Sequence, residues 1–291
     1  MTASQHSRPS LGVIILTREE EENLPIALES LRPLRPMVFI VDSGSSDRTV
    51  ELAREWGCEC AARPWTNYAD QFKWAMEHCP FSADWFMRMD ADERLTAELA
   101  RELPEAIAAA GEGTDGFRMR RRVYFWGKWI RHGGYYPTWL TRVWRAGHAS
   151  IESRWMDEHM VVHGGGVAAL QGDIIDENHK GLTFWTDKHN RYADREVRDL
   201  LAMASAEAPA AQLEGQAGRR RWVKQNLYAR SPLLLRAVAY WFLRYIVLLG
   251  FLDGRPGFVF HFLQGFWYRF LVDAKLLEAR RNQQGSGSGE G

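Results

Sequence analysis

The first hundred residues alternate short apolar runs with segments of helical spacing, and this alternation limits the fold more than any other feature of the chain. The runs LGVIILT (11–17), MVFIVDS (37–43), CECAAR (58–63) and DWFMRMD (84–90) are typical of strands that are covered on both faces. Amphipathic helical patterns lie between these runs and after the last one. This β-α-β-α order predicts an α/β fold, a Rossmann-like and mostly parallel sheet with helices on both faces.

The pattern changes in the second third of the chain. Two further strand-like segments, DGFRMRRRVYFWGKWI (115–130) and TWLTRVWRA (138–146), flank the turn-rich stretch RHGGYYP. A highly charged helical pattern then runs from Leu182 to about Ala206. We therefore expect residues 11–207 to form one domain, in which 11–110 and 111–207 are two halves.

Composition sets broad limits on what the chain does. Of its 291 residues 46% are hydrophobic, which is enough for a packed core. Lys and Arg together number 37, as do Asp and Glu, so the overall charge gives no indication of nucleic-acid binding. Three cysteines, an odd and small number, argue against a framework of structural disulfides and fit a reducing compartment. Residues 1–10 are interpreted as a flexible polar lead-in rather than a signal peptide, and residues 282–291 as a flexible tail.

Acidic side chains collect where two of the predicted strands end. Asp42 ends the second strand and Asp90 ends the fourth, so both are expected at the edge of the sheet where ligands bind. Asp90 and Asp92 are separated by one residue and point to similar sides of an extended chain. A divalent cation, Mg²⁺ or Mn²⁺, would relieve their repulsion and bridge to phosphate oxygens. The alternative is a solvated helix start, with Asp92 or Glu93 near the helix that follows.

Several motifs, in order along the chain, resemble one enzyme family. They are ILTREEEENL (15–24), IVDSGSSDRTVELA (40–53) and MRMDADERL (87–95), followed by GKWIRHGGYYP and TRVWR. Together they resemble the family 2 glycosyltransferases of GT-A fold, and within these the group that adds sugars to lipopolysaccharide cores and other bacterial surface glycans. The resemblance implies a nucleotide-sugar half at 11–110 and an acceptor half at 111–207.

The resemblance also implies roles for individual residues. Thr17 and Glu20 match positions that cradle the nucleoside, and Asp42 matches a carboxylate that accepts a hydrogen bond from the base. Asp90 and Asp92 match the metal-binding D-x-D motif, in which the second aspartate usually contacts the ion and the first contributes to donor binding.

Two positions depart from the family pattern. Glu19 stands where an asparagine is usual, which leaves the fine donor contacts open. Phe72 and Lys73 stand where an Arg-Asn pair is usual, and we expect Lys73 to exchange the lost polar contact for a contact with phosphate.

The acceptor side should carry a general base, because an inverting transfer must remove a proton from the attacking hydroxyl. The family places this carboxylate well after the D-x-D motif, and RWMDEHM (154–160) offers two candidates. Glu158 matches best and Asp157 is second, while a solvated loop remains the alternative. Asp176, with His179 close by, matches a third metal ligand, or is a turn residue at a strand end.

The C-terminal part is apolar enough to suggest a membrane surface. PLLLRAVAYWFLRYIVLLGFL (232–252) has the length of a bilayer span but contains two arginines, which favours a helix lying in the interface with its arginines toward headgroups. After a break at DGRPG (253–257) a second helix is expected, so 232–281 is interpreted as an amphipathic helical hairpin behind a basic linker, 208–231. Packing on the catalytic domain, a dimer interface and spanning helices stay open as alternatives.

The sequence therefore predicts a metal-dependent, inverting glycosyltransferase. We expect it to move a hexose from a nucleotide sugar, with UDP as the carrier, to a lipid-linked glycan, at the cytoplasmic face of the bacterial inner membrane as a peripheral protein. The alternatives are a glycosyltransferase acting on polyprenyl phosphate and a non-catalytic adaptor that binds sugar nucleotides or membranes. A nucleic-acid partner is not expected, and homo-oligomerisation is left open.

Overall fold

The computed structural model describes residues 9–152, 158–205 and 231–287, with backbone only at 199, 202–205 and 284–287. The chain packs as two compact units. Unit 1 runs to Tyr124 and resumes at Pro137–Lys180, and unit 2 comprises Phe125–Tyr136 and the chain from Gly181 onward. The domain boundary expected at residue 207 and nearly all of the expected linker lie outside the described residues.

Unit 1 is built on one curved sheet with the strand order β3-β2-β1-β4-β8-β6-β11-β5. The bounds of its strands are β1 (Leu11–Thr17), β2 (Met37–Asp42), β3 (Glu59–Ala62), β4 (Trp85–Asp90), β5 (Glu93–Leu95), β6 (Thr114–Phe125), β8 (Thr138–Arg145) and β11 (Gly166–Asp176). A separate two-stranded sheet pairs β9 (Ala149–Ile151) with β10 (Met160–Val162). The last residue of β6, Phe125, is the first residue of unit 2.

The four strands predicted from the apolar runs form the parallel half of this sheet. β1 lies between β2 and β4 and is parallel to both, and β2 is parallel to β3. Beyond β4 the pairing is mixed, since β8 is antiparallel to both β4 and β6 whereas β6 and β11 are parallel. The predicted α/β fold class is confirmed. Strand β5, only three residues long, was not predicted from the sequence.

Helices cover both faces of the parallel half, which explains why its strands are apolar throughout. Val13 and Ile15 pack in the same cluster as helices α1 (Leu24–Leu31) and α4 (Ala97–Ala109). Ile14, which points to the other face, packs in a second cluster with helix α3 (Tyr68–Glu77). Helix α2 (Thr49–Trp56) and a 3₁₀ turn (Arg32–Leu34) complete the helical layers of unit 1.

Capping side chains fix the starts of α3 and α4, and a glycine allows α4 to pack closely on the sheet. The side chain of Asn67 accepts a hydrogen bond from the Asp70 amide at the start of α3, and Thr96 does the same for Leu99 in α4. Gly172 in β11 lies against the backbone of Leu99, and a β-carbon there would approach within 2.4 Å of the Leu99 Cα. Glycine at this position therefore lets α4 pack directly on β11, the strand that leads into the candidate site.

The described residues of unit 2 from Gly181 onward are mainly helical, and the short strand β7 (Lys128–Trp129) lies in its first segment. Its helices are α5 (Gly181–Ser205), α6 (Leu235–Phe242), α7 (Gly254–Phe260) and α8 (Tyr268–Gly287). Single π-helical stretches continue α6 (Leu243–Val247) and α7 (His261–Trp267), and a 3₁₀ turn (Gly250–Asp253) precedes α7. Ala193 and Val197 of α5 pack against Tyr268, Val272 and Leu276 of α8.

The expected hairpin differs from the structure in where the helix breaks. The break falls at residues 248–253, and Leu249 adopts a left-handed backbone with φ of 59°. The DGRPG stretch that was expected to separate the helices instead begins α7 at Gly254, because proline is tolerated in the first turn of a helix. Among the described helices none alone is long and apolar enough to cross a bilayer, whereas Leu235–Val247 and Gly250–Gln283, bent by 69°, meet that length and composition as a pair.

Candidate active site

Three strand ends bring the predicted donor-binding residues to one edge of the sheet in unit 1. Thr17, at the end of β1, lies opposite Asp42 at the end of β2, and the neighbouring Leu16 lies opposite Asp90 at the end of β4. This register is a direct result of parallel pairing among strands of similar length. The segments that follow β1, β2 and β4 therefore leave the sheet side by side, as the sequence predicted.

Asp42 is nearly fully buried, and its carboxylate holds the segment after β2 in shape. One oxygen accepts hydrogen bonds from the amides of Gly44 (2.9 Å) and Ser45 (2.8 Å). The other accepts from the hydroxyls of Thr17 (2.9 Å) and Ser45. A carboxylate has about four acceptor positions, and all of them are used here. In this conformation Asp42 positions the loop, and the hydrogen bond to a base that the sequence predicted would require one of these bonds to break.

Asp90 is surrounded by positive and hydrogen-donating groups. The Tyr68 hydroxyl donates to one carboxylate oxygen (2.6 Å) and Arg142 donates to the other (2.9 Å), while the Arg88 Nε lies 3.9 Å away. Burial by itself would raise the pKa of Asp90, but the charges of Arg142 and Arg88 outweigh it and lower the pKa well below its usual range. Asp90 is therefore ionised and already paired in the described conformation.

Glu93 shares Arg142 with Asp90. It is 2% exposed, it accepts a hydrogen bond from the Arg142 guanidinium, and it also accepts one from the Asp90 amide (3.0 Å). Burial raises the pKa of Glu93 to about 7, with the charge of Arg142 acting in the opposite direction and that of Asp90 adding to the rise. One buried guanidinium thus stabilises two carboxylates that would otherwise repel each other.

Asp92 faces a different segment, the one that follows β11. Its carboxylate accepts a hydrogen bond from the Asn178 side chain (3.1 Å), and its backbone carbonyl accepts one from the Glu177 amide (2.9 Å). Asp92 is half-buried, in contrast to Glu93 beside it. The D-x-D segment is therefore held between the β4 side of the sheet and the end of β11.

The same segment after β11 also reaches the loop that follows β1. The His179 amide donates to the Asn23 side chain (2.9 Å), and the Lys180 ammonium lies 2.7 Å from a carboxylate oxygen of Glu20. Asn23 donates to the other oxygen of Glu20 (2.8 Å). Burial and the negative charge of Asp92 raise the pKa of Glu20, and the hydrogen bonds from Asn23 and Lys180 act in the opposite direction. The loops after β1, β4 and β11 thus converge on one cluster, called here the strand-end cluster.

Asp176 lies close to the D-x-D motif, as predicted for a third ligand. It is paired with Glu93 across the antiparallel strands β11 and β5, and Arg121 lies 3.3 Å from its carboxylate. Its negative charge is one of the causes that raise the pKa of Glu93. The structure therefore brings together Asp90, Asp92 and Asp176, which are far apart in the sequence.

The donor atoms of this cluster suit a hard cation that shares its coordination with phosphate. Within the described ranges, no three acidic, histidine or cysteine side chains are arranged to hold a metal ion by themselves. Mg²⁺ and similar ions are commonly held by only one or two carboxylates together with substrate phosphates. Asp90 is occupied by Arg142 and Tyr68. Asp92 and Asp176, both half-buried at this edge, are the candidate metal ligands, and an ion there would have to displace Arg121 from Asp176.

Lys73 is not brought to the strand-end cluster. Its side chain is 71% exposed on α3 and lies 3.8 Å from Glu77, one helical turn away. The helix instead turns Gln71 inward, where the amide group donates to the Arg63 carbonyl (3.1 Å) and to the Ser43 hydroxyl (3.4 Å). The helical phase of α3 places residue 71 on the buried face and Lys73 on the exposed one, and the expected contact between Lys73 and phosphate stays a prediction.

The first candidate for the general base lies beside the D-x-D strand. The backbone carbonyl of Glu158 accepts a hydrogen bond from the Arg88 guanidinium (3.1 Å), and Arg88 is the residue that also neighbours Asp90. Asp157, the second candidate, lies outside the described residues. The assignment of the base to either residue stays a prediction.

Three residues of the cluster were not singled out from the sequence: Arg142, Asn178 and Lys180. Arg142 lies in β8 and was noted only as part of TRVWR. Arg142 directly precedes the apolar residues Val143 and Trp144 in a predicted sheet strand, and this position could have identified it, because a buried charge requires a partner. Asn178 and Lys180 follow Asp176 directly, so their position was predictable once β11 was assigned to the same edge.

Comparison with known proteins identifies the family. Residues 12–177, more than half of the chain, match the family described as glycosyl transferase family 2. The chain belongs to this family. The match begins in β1 and ends one residue after β11, so it includes the loops after β1 and β4 and stops at the start of the loop after β11. The predicted resemblance to family 2 glycosyltransferases of GT-A fold is thereby confirmed.

Relatives found by sequence are similar to this glycosyltransferase over only part of its length. The lipopolysaccharide core biosynthesis glycosyltransferase LpsC of Rhizobium meliloti is 39% identical over 122 residues, which are 40% of this chain and 44% of LpsC. The chain thus spans less than half the length of this curated relative. Staphylococcus aureus TarS 1–349 aligns over 93% of this chain and 92% of its own, with 9% identity and a TM-score of 0.46. Glucosyl-3-phosphoglycerate synthase of Mycobacterium tuberculosis, solved with Mn²⁺ and UDP, covers 40% of this chain and 44% of its own, with 18% identity and a TM-score of 0.32.

Proposed function

We propose that this glycosyltransferase transfers a hexose from a nucleotide-diphosphate sugar, with UDP as the carrier, to a hydroxyl group of a lipid-linked glycan, with inversion at the anomeric carbon. The observation that carries the proposal is the strand-end cluster. It combines a half-buried Asp92, the adjacent Asp176 and the nucleoside-side residue Glu20 within the part of the chain that matches the family.

Each part of the cluster has a task in this reaction. Asp92 and Asp176 would hold a divalent Mn²⁺ or Mg²⁺ ion, which supplies charge neutralisation to the departing diphosphate when it is bound. Asp90 and Glu93, fixed by Arg142, keep the D-x-D segment rigid. Thr17 and Asp42 shape the loop on which the nucleoside rests.

The acceptor proton requires a separate carboxylate. We assign this step to Glu158, with Asp157 as the second candidate. The support is that Arg88 ties the backbone of Glu158 to the strand that carries Asp90, which keeps the base candidate in the same unit as the donor site. A base that is held beside the attacking hydroxyl typically contributes 10²–10⁴-fold to the rate.

The acceptor class rests on the similarity to LpsC and on the chemistry of the C-terminal part. LpsC is described as a lipopolysaccharide core biosynthesis enzyme, and its similarity to this chain supports a surface-glycan acceptor. A lipid-linked acceptor would require the enzyme to work at a membrane surface, on the cytoplasmic face of the inner membrane where nucleotide sugars are made. The unusually apolar surface of unit 2 supports that location and is considered in the next subsection.

A thermal-shift panel of nucleotide sugars tests the donor assignment. Purified full-length protein is heated with UDP-glucose, UDP-galactose, GDP-mannose or ADP-glucose, each with Mn²⁺ and with EDTA. A donor present at about 100 times its dissociation constant adds about 2.7 kcal/mol, which shifts the midpoint by roughly 5 °C for a chain of this size. We expect this shift for a UDP sugar with Mn²⁺ and not with EDTA. Stabilisation by a GDP or ADP sugar alone, or equal shifts with EDTA, would contradict the proposal.

Identification of the leaving group separates sugar transfer from nucleotidyl transfer, which also uses metal-bound carboxylates. The expected product of turnover is UDP, detected by a coupled enzymatic assay. Release of inorganic diphosphate in place of UDP would instead assign the cluster to nucleotidyl transfer.

A further inference from the structure

Unit 2 carries an extended surface without exposed charge. Between Leu235 and Leu252 every exposed residue is apolar, and the most exposed are Leu235 (68%), Val247 (57%) and Leu252 (55%). Phe258 and Phe262, in the helical segment that follows, are also exposed. We call the exposed apolar side chains of residues 235–262 the apolar surface. Such a contiguous patch is uncommon on a water-soluble monomer and indicates an interaction site.

The first of the two arginines in this stretch is turned into the protein. Arg236 is 5% exposed, and its Nε donates to both carboxylate oxygens of Asp273, at 2.8 and 3.0 Å. Asp273 is fully buried and also accepts a hydrogen bond from the Leu234 amide (2.8 Å). The pair is therefore neutral as a whole, and none of its charge reaches the apolar surface.

The second arginine keeps its charge, which is stabilised by other groups of unit 2. Arg244 donates to the backbone carbonyl of Gly133 (2.6 Å), and its guanidinium lies 4.2 Å from the Tyr135 ring centre and 4.8 Å from that of Tyr240. Aromatic faces attract a guanidinium more strongly when it is removed from water. The sequence-based expectation that these arginines point toward headgroups is therefore wrong, because the folded unit supplies internal partners for both.

The internal partners of both arginines favour lipid over protein as the partner of the apolar surface. A partner protein or a second copy can offer carboxylates, and arginines at such an interface gain by facing it. Lipid hydrocarbon offers neither a counter-charge nor a hydrogen-bond acceptor, and an arginine at the centre of a bilayer costs about 2.5–3.5 kcal/mol on insertion scales. The stretch 235–252 pairs both of its arginines within unit 2 and exposes only apolar side chains, which suits contact with lipid chains.

We propose that the apolar surface inserts into one leaflet of a lipid bilayer, so that the enzyme is a monotopic membrane protein. The bend of 69° between the two helical segments suits a shallow insertion rather than a span. Arg255, which is exposed at the start of α7, then lies at the level of lipid phosphates. The insertion stands independently of the proposed reaction.

Residues 131–136 of the acceptor-side stretch are fixed to this inserted part within unit 2. The Gly133 amide donates to the Leu248 carbonyl (2.9 Å), and the His132 amide and ring both bond the Asp253 carboxylate (2.9 and 2.6 Å). Both anchors lie at the helix break. If the proposed function is correct, insertion therefore places the acceptor-side stretch near the headgroups, where the sugar of a lipid-linked acceptor lies.

Vesicle flotation of the full-length protein tests the insertion. The probe is a vesicle of phosphatidylethanolamine and phosphatidylglycerol, and the variant is V247D/L252D, which places two charges at exposed positions. We expect the wild type to float with the vesicles in low salt and in 1 M NaCl. The bound fraction of the variant should be at least tenfold smaller than that of the wild type. L277D is the control, because Leu277 is 42% exposed on α8 outside the apolar surface, and this variant should float like the wild type.

Other outcomes would overturn the proposal. Wild-type protein that stays unbound, or that 1 M NaCl releases completely, would exclude insertion into hydrocarbon. A soluble dimer that V247D/L252D converts to monomer, without vesicle binding by the wild type, would assign the apolar surface to a second copy. Thermal unfolding of the variant in mild detergent should match that of the wild type, which shows that lost binding is not lost folding. Metal-dependent binding of the UDP sugar in solution should be unchanged in the variant, so a failure of insertion is distinguishable from a failure of the proposed function.

Discussion

The guanidinium of Arg88 donates a hydrogen bond to the backbone carbonyl of Glu158 at 3.1 Å and stacks 4.2 Å above the Tyr68 ring centre. Tyr68 in turn donates to Asp90. The candidate base and the first aspartate of the D-x-D motif are thus linked through two side chains of the same unit. This link gives a structural reason to expect that the donor and acceptor steps occur at one site.

Replacing the candidate base should remove turnover and leave the donor site intact. We expect Glu158→Gln to lower the rate of transfer by 10²–10⁴-fold, because the acceptor hydroxyl then loses its proton acceptor. The dissociation constant of the UDP sugar should stay within twofold of the wild-type value by titration calorimetry. Asp157→Asn is the matched comparison: if it alone abolishes transfer, the base is Asp157, and if neither variant slows transfer, an acceptor that needs no base, such as polyprenyl phosphate, is favoured.

Arg142 should be essential for the stability of unit 1. Arg142→Met leaves the buried Glu93 and the half-buried Asp90 without their shared cation, and removing one partner of a buried pair typically costs about 3–5 kcal/mol. Urea unfolding measures this loss. Arg101→Met, at an exposed position on α4, is the control and should change stability by about 0.5 kcal/mol or less.

Coupling between Arg142 and Glu93 provides a sharper test of the same contact. The double variant Arg142→Met/Glu93→Gln should be more stable than Arg142→Met alone, because a neutral amide costs less to bury than a carboxylate. Equal stabilities would show that the loss in Arg142→Met comes from packing rather than from charge.

Much of the parallel half of unit 1 could be predicted because each of its strands is recognisable from its own run of residues. Val13, Ile14 and Ile15 are all buried, and a run of this kind indicates a strand covered on both faces wherever it occurs. The positions of Asp42 and Asp90 at one edge then follow from parallel pairing.

The partners of the acidic residues could not be predicted in the same way. Arg142 meets Asp90 only because β8 pairs antiparallel with β4, 52 positions along the chain, and no local pattern specifies that pairing. Strand β5 has three residues, too few for a periodic signal, although it sets Glu93 opposite Asp176. The inward direction of Arg236 likewise depends on Asp273, in a helix that follows much later.

Acid should destabilise unit 2 through His189. Its ring stacks on Trp185, with ring centres 3.5 Å apart, and burial lowers the pKa of His189 to about 4 from an ordinary value of 6.5. The unfolded state therefore binds more protons between pH 4 and 6.5, and the free energy of unfolding falls as the pH is lowered through that window.

The contribution of His189 to this fall should be about 2 kcal/mol after allowance for solvent screening. His189→Gln should flatten the dependence by that amount, as measured by urea unfolding at several pH values. A slope between pH 4 and 6.5 that is identical in the variant and the wild type would show that His189 does not stay neutral in the folded state.

Binding of a UDP sugar in the presence of Mn²⁺, measured by titration calorimetry on the wild type, Asp92→Asn and the control Asp187→Asn, tests the central claim most directly. Asp187 lies exposed on α5 in unit 2, whereas Asp92 belongs to the strand-end cluster. We predict that Mn²⁺ strengthens binding to the wild type and to Asp187→Asn by at least tenfold, and that this gain disappears in Asp92→Asn. Metal-dependent binding that survives unchanged in Asp92→Asn would contradict the account.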